Sequence, residues 1–91
     1  MYQVSFQSKR VLKDLDALGT EDYERVAGAI DGLAGEARPS GCVQLDPGIF
    51  RIRVGQLRVI YQVDDAAQTV VIGAVRRRNE ATYRSVGDLF R

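Results

Sequence analysis

The chain contains no histidine, no tryptophan and a single cysteine, Cys42. Without histidine there is no Ser-His-Asp triad, no histidine metal site and no histidine acid–base pair. One thiol closes no internal disulfide and falls short of a zinc thiolate cluster, so Cys42 reads as a small buried or half-buried hydrophobe. The longest apolar run, Val70 to Val75, is broken by Gly73 and is far too short to span a bilayer. Residues 1–10 hold no apolar stretch of the kind a signal peptide needs, so a reduced, cytoplasmic setting is expected, away from membranes. An excess of charge is missing too. Thirteen Lys+Arg against twelve Asp+Glu leave a net +1, which on its face argues against a nucleic-acid binder.

What is present is 91 residues, 45% of them apolar. That is enough for one modest core, and the expectation is a single domain over residues 1–91. A core of this size is marginal, so a stabilising partner is expected. Tyr2, Val4 and Phe6 alternate with polar residues, as in a half-buried strand. Ser8 can cap a helix carrying Val11, Leu12, Leu15 and Leu18, which ends at Gly19. Thr20 can cap a second helix whose apolar face runs Tyr23, Val26, Ala27, Ile30, Leu33, Ala34, Ala37. Gly28, Gly32 and Gly35 weaken that helix by about 1 kcal/mol each relative to Ala, so close packing is expected to compensate. Beyond the turn at 38–41, Cys42 to Leu45 can form a short strand. From Phe50 the period switches to two. Strands are expected up to Val54, over Leu57 to Val63 and over Thr69 to Arg78, with Gly55-Gln56 as a two-residue hairpin loop. Asn79 can cap a last helix bearing Tyr83, Val86, Leu89 and Phe90. The order β-α-α-β-β-β-α implies an α+β fold, an antiparallel sheet with a helical hairpin packed on it.

The Gly55-Gln56 loop fixes a register. Phe50 faces Tyr61 and Ile52 faces Val59 on one side of the sheet. Arg53 faces Arg58 on the other, with Arg51 two residues along. Like charges directly opposite destabilise a sheet by roughly 0.2–1 kcal/mol, and Ile49 to Val63 contains three arginines and no acid. An anion between them makes sense of the arrangement, and Arg is suited to bidentate phosphate contact. Arg76, Arg77 and Arg78 form a second basic cluster, Arg84 follows, and Tyr83 can fold back toward the sheet. Plainer alternatives stand beside this: a solvated arginine face, a charge run leaving a strand, and a tyrosine that is a core residue of the last helix. Arginine is too weak an acid to move protons, but it neutralises charge building on a phosphate. Tyrosine can exchange a proton where neighbouring cations depress its pKa. RNA brings its own nucleophile, the 2′-OH, so its cleavage needs alignment, charge neutralisation and modest proton transfer.

Residues 50–63, the opening Tyr2, Val4, Phe6 with Leu12, Leu15, Leu18, and the ending Arg76 to Arg84 together resemble the RelE/ParE superfamily of toxins. The resemblance covers nearly the whole chain. It implies the toxin of a type II toxin–antitoxin system. For the RelE-like branch it implies a ribosome-dependent messenger-RNA endonuclease that cuts in the A site by 2′-OH attack, without metal or other cofactor. By position, Arg51 and Arg53 match residues that hold the RNA backbone, and Arg58 a phosphate-stabilising arginine. Arg77 matches an arginine near the leaving group, and Tyr83 a residue that stacks on the substrate and assists proton transfer. Arg76, Arg78 and Arg84 add RNA-binding charge. Arg51 and Arg53 replace lysines common in the family, and Arg76 stands where many relatives carry His. These departures keep open the ParE-like branch, non-catalytic inhibitors of DNA gyrase. Either branch implies a cognate antitoxin in a hetero-oligomer.

The near-zero charge conceals an asymmetry. Residues 1–37 carry four basic and seven acidic side chains, net −3; residues 38–91 carry nine and five, net +4.

Overall fold

The computed structural model describes residues 1–77 and 89–90. Its elements are β1 (Gln3–Phe6), α1 (Lys9–Asp16), α2 (Thr20–Gly32), β2 (Val43–Asp46), β3 (Ile49–Val54), β4 (Leu57–Asp64) and β5 (Thr69–Arg77). The strands form one sheet in the order β1-β5-β4-β3-β2. This is the expected α+β architecture, with one departure. β1 pairs with β5 in parallel, so the sheet is mixed. The helical hairpin carries the chain over the sheet, and this crossover is what a parallel pairing requires. The last helix expected from the sequence falls outside the described residues.

The two helices cover one face. Val11 and Leu15 of α1, Val26 and Ile30 of α2, and Leu33 and Ala37 beyond it pack on Phe50, Ile52, Leu57, Val59, Tyr61, Val63, Val70, Ile72 and Val75. Cys42 is half-buried against this core. The hairpin register is the one the loop implies: Val54 opposite Leu57, Arg53 opposite Arg58, Ile52 opposite Val59, Arg51 opposite Ile60, Phe50 opposite Tyr61. Gly55 has φ +59, the sign a type II′ turn asks of its first central residue. The second face carries a smaller cluster, Ile49, Ile60 and Ala74, with Leu45, Leu89 and Phe90 packed on it.

Helix ends differ from expectation by a residue or more. Gly19 is the N-cap of α2, at φ −63, and Thr20 is its first residue. Ser8 occupies the N-cap of α1 but makes no side-chain capping bond. α2 stops at Gly32, and Leu33 and Ala37 reach the core from the turns beyond it. The packing expected to compensate for the α2 glycines comes from the opposite side of the helix, where Val26 and Ile30 are buried in the core, and not from the glycines themselves. Gly28 and Gly32 have nothing within 4 Å of a would-be Cβ, because they lie on the solvent side of the helix.

The helical layer is tied to the β4–β5 turn by one cluster. Arg38 donates to both Asp65 carboxylate oxygens at 3.2 and 2.8 Å, and the Tyr2 hydroxyl donates to Oδ1 at 2.5 Å. The Arg38 guanidinium also lies 5.1 Å from the centre of the Phe50 ring. Beneath it, the Tyr61 hydroxyl donates to the Ala37 carbonyl at 2.8 Å. The Arg38 and Tyr2 hydrogen bonds hold the Asp65 carboxyl below its ordinary pKa, and the Asp65 bond raises the Tyr2 phenol.

Two outcomes follow. Gly28→Ala is expected to stabilise the fold by about 1 kcal/mol, since helix propensity improves and the site is open. For a domain of this size that is a rise of about 4–8 °C in thermal midpoint; an unchanged or lower midpoint contradicts it. The contribution of Asp65 is complete above the ordinary aspartate pKa of about 3.9 and is lost as pH falls through its lowered native value. Asp65→Asn should therefore lower the midpoint at neutral pH, with the gap to the native protein closing as pH falls below the ordinary aspartate value. A gap that persists in acid would mean that the side chain's shape, not its charge, matters.

Candidate functional site

β4 is the central strand, and its alternation builds the site. Leu57, Val59, Tyr61 and Val63 face the helices. Arg58, Ile60 and Gln62 face the other way, level with Arg53, Arg51 and Ile49 of β3. On the far side, Arg58 pairs with Arg76 and Ile60 with Ala74 of β5. Arg53, Arg58 and Arg76 therefore form one row across three adjacent strands, with Arg51 one step along from Arg53 on the same face.

The middle of this row is the most demanding position. Arg58 is 6% exposed, the one buried polar or charged residue of the described chain. Its guanidinium donates to the Leu57 carbonyl at 3.3 Å. Among the described residues it has no carboxylate partner; the two ion pairs there are Arg25–Glu21 and Arg38–Asp65. Arginine cannot shed its proton to escape burial. Two like-charged neighbours add to the cost, roughly 0.2–1 kcal/mol for each opposed pair. Arg51 is half-buried and Arg53 exposed. Both line a groove of about 620 Å³ where β3 runs on past the end of β2 toward the C-terminal end of α2.

Arg77 takes a different position. The β4–β5 register shifts between Ile60, opposite Ala74, and Tyr61, opposite Ile72, leaving Gly73 as the extra residue of a bulge. A bulge inverts the alternation of the strand beyond it. Val70, Ile72 and Val75 consequently share the helix-side face, Ala74 and Arg76 share the face of Arg58, and Arg77 lies opposite Leu57 at the helix-side end of β5. Arg77 is exposed and lines a cavity of about 350 Å³ at the end of α1. Gly73 also leaves room for the Phe90 ring, which would have to shift for a larger residue. A Cβ there would stand 2.5 Å from the Phe90 ring.

The fold thus brings Arg51, Arg53, Arg58 and Arg76 to one face and sets Arg77 at its margin, on the other parity. Arg78, Tyr83 and Arg84 lie outside the described residues. Tyr61, in β4, faces the helices, and burial pushes its phenol well above the ordinary value. Its hydroxyl serves the Ala37 carbonyl. The sequence reading missed Arg10 of α1, which lines the same cavity as Arg77. One basic residue on an amphipathic helix gives no sign of which strand end it will reach. Among the described residues no cluster of three or more Cys, Asp or Glu is arranged to hold a metal ion, and no helix is long and apolar enough to cross a membrane.

Known proteins share this arrangement of chain. A chain of the archaeal RelE–RelB complex from Pyrococcus horikoshii OT3 superposes with a TM-score of 0.75 at 28% identity, covering 88% of this chain and 98% of that one. A chain of the toxin–antitoxin complex RelBE2 from Mycobacterium tuberculosis gives 0.71 at 29% identity, covering 85% and 98%. The isolated E. coli RelE toxin gives 0.75 over 90% of this chain and 89% of its own; at 21% identity this shows the fold alone. No curated protein sequence matches significantly. Residues 6–82 match the family model described as the ParE toxin of type II toxin–antitoxin system, parDE. With that match spanning most of a RelE-like fold, the chain belongs to the ParE toxin family of type II toxin–antitoxin systems, within the RelE/ParE superfamily.

Proposed function

We propose that this toxin is a ribosome-dependent endoribonuclease of the cytoplasm, cutting messenger RNA in the A site with the RNA's own 2′-OH as nucleophile. The observation that carries the reading is Arg58, a buried guanidinium flanked by Arg53 and Arg76 with no carboxylate to balance it among the described residues. A phosphodiester supplies the missing negative charge, and the phosphorane formed during cleavage carries more. The 2′-oxygen attacks phosphorus, a cyclic 2′,3′-phosphate forms, and the 5′-oxygen leaves with a proton. In this reading Arg58 neutralises the phosphorane, where a fixed donor counts most. Arg51, Arg53 and Arg76 hold the flanking backbone, so that 2′-oxygen, phosphorus and leaving oxygen come into line. Arg77 stands toward the leaving group, and Arg78 and Arg84 add backbone contacts. Tyr83 stacks on a base and assists proton transfer. The relatives solved as RelE–RelB complexes support a cognate antitoxin as the protein partner. Phe6, Leu12 and Tyr23, large apolar side chains that stay exposed around one groove on the helical layer, give such a partner a surface to cover.

A second reading, inhibition of DNA gyrase without catalysis, is favoured by the family model itself, which is that of the ParE toxin. Primer extension on translated messages after induction separates the two. Cuts within codons are expected. Intact transcripts accompanied by DNA breaks would replace the first reading with the second.

Arg58 allows a sharper test, because stability and activity should move oppositely. Arg58→Met removes a buried charge and two like-charge oppositions, so the thermal midpoint should hold or rise. Cleavage should fall by about 10²–10³-fold, as for loss of one preorganised charge stabiliser. A folded Arg58→Met protein that still cuts at the native rate would remove Arg58 from the site.

A further inference from the structure

β1 pairs with β5 only from Thr69 to Ile72. Past that point β5 runs on as an edge, and α1 packs alongside it. Two cavities open there, of about 350 and 110 Å³, and both are lined by Arg10, Asp14 and Arg76. Arg77 joins the larger one. Arg76 approaches from the face of Arg58 and Arg77 from the helix-side face, so the larger cavity lies where the arginine face turns the corner of the sheet. Three arginines against one aspartate give it a net charge of +2. Arg10 is exposed and, like Arg76 and Arg77, makes no ion pair among the described residues. The volume is within the usual range for small-ligand sites, about 300–1,000 Å³.

We infer that Arg10, with Arg76 and Arg77, binds a backbone phosphate of single-stranded RNA next to the one held at Arg58. This extends the basic track around the sheet edge onto an otherwise acidic helical layer. The inference rests on the RNA reading above and adds to it a site on α1. The row Arg53–Arg58–Arg76 leads directly into the cavity, so a strand lying along the row delivers its next phosphate there. Asp14, one turn on from Arg10, faces the same space and weakens the site by repulsion; it also sets a limit on how tightly the strand is held.

The test is fluorescence anisotropy of a labelled RNA hexamer, 2′-O-methylated so that it cannot be cut, on the purified full chain over a salt series. Arg10→Ala should weaken binding several-fold and lower the slope of log affinity against log salt by about 0.7, the value for one phosphate contact on a single strand. Arg10→Lys should keep the slope, and Asp14→Asn should tighten binding. Lys13→Ala, on the same helix but outside both cavities, should change neither quantity. Equal effects of Arg10→Ala and Lys13→Ala would overturn the inference, because a general field and not a site would then be acting. Native-like binding by Arg10→Ala while messages are still cut in cells would overturn the α1 site alone. Absence of RNA binding by the native chain overturns the α1 site too. The cleavage reading falls only if transcripts also stay intact.

Discussion

The pairing of β4 with a neighbour on each side is the constraint on which the rest of the molecule depends. Because side chains alternate along a strand, one register decides both faces at once. The choice that seats Val59 and Tyr61 under the helices also sets Arg58 between Arg53 and Arg76. Slipping β3 by one residue would expose Phe50 and Ile52 and bury two arginines in the core. Gly55 guards against that slip by closing the hairpin in two residues at φ +59. The apolar face thus supplies the free energy, and the arginine face is held in place by it.

Holding those arginines together works against stability, and the structure shows where the compensation lies. Fully buried Val59, Tyr61, Val70 and Ile72 pack the helix side of the central strands, and Ile60 is buried on the face of the row. Each such side chain contributes about 1.5–3 kcal/mol, more than the like-charge oppositions remove. Ile60 and Ala74, with Leu89 and Phe90 over them, cover the half of the arginine face that carries no charge. The acidic helical layer lies on the opposite side of the sheet, and Asp14 is the carboxylate of that layer that lines a cavity with Arg76 at the row's end. Net charge near zero is a sum over two faces of opposite character.

Much of this was legible in the sequence because the signals were local. A strict period of two from Phe50 to Val63, interrupted by Gly-Gln, dictates the hairpin, its register and the Arg53–Arg58 opposition without further information. The helical hairpin was equally plain from Val11 to Ile30, although its boundaries were not. Capping depends on backbone dihedrals, and Gly19 and Thr20 can each start α2. The parallel pairing of β1 was hidden because it joins segments more than sixty residues apart with no turn between them. The place of Arg77 was hidden for a different reason. Val70 to Val75 is apolar on both faces, so nothing in the pattern betrays the bulge at Gly73 that inverts the parity of Arg76 and Arg77. Arg10 left no trace because its proposed role comes from where β5 runs on past its pairing with β1.

The bulge has a consequence for how a bound strand would lie. On an unbroken β5, Val75 would stand opposite Arg58, Arg76 would turn toward the helices opposite Leu57, and Arg77 would fall beyond the row, level with Gln56. With Gly73 inserted, Arg76 completes the row and Arg77 becomes the residue at the corner. A flat arginine patch binds phosphates equally well in any direction. A row that ends by turning an edge has a direction, because only one of its ends leads past Arg77 to Arg10. On the proposed reading, that asymmetry lets the protein tell the attacking side of a phosphodiester from the leaving side. The attraction involved is short in range, since the opposing charge of the helical layer and a Debye length of about 8 Å confine it to this face. Long-range steering by the toxin is then weak. On the proposed reading, free RNA is therefore bound only on close approach, and cutting is favoured where the strand is already held in position, as a message is in the ribosomal A site.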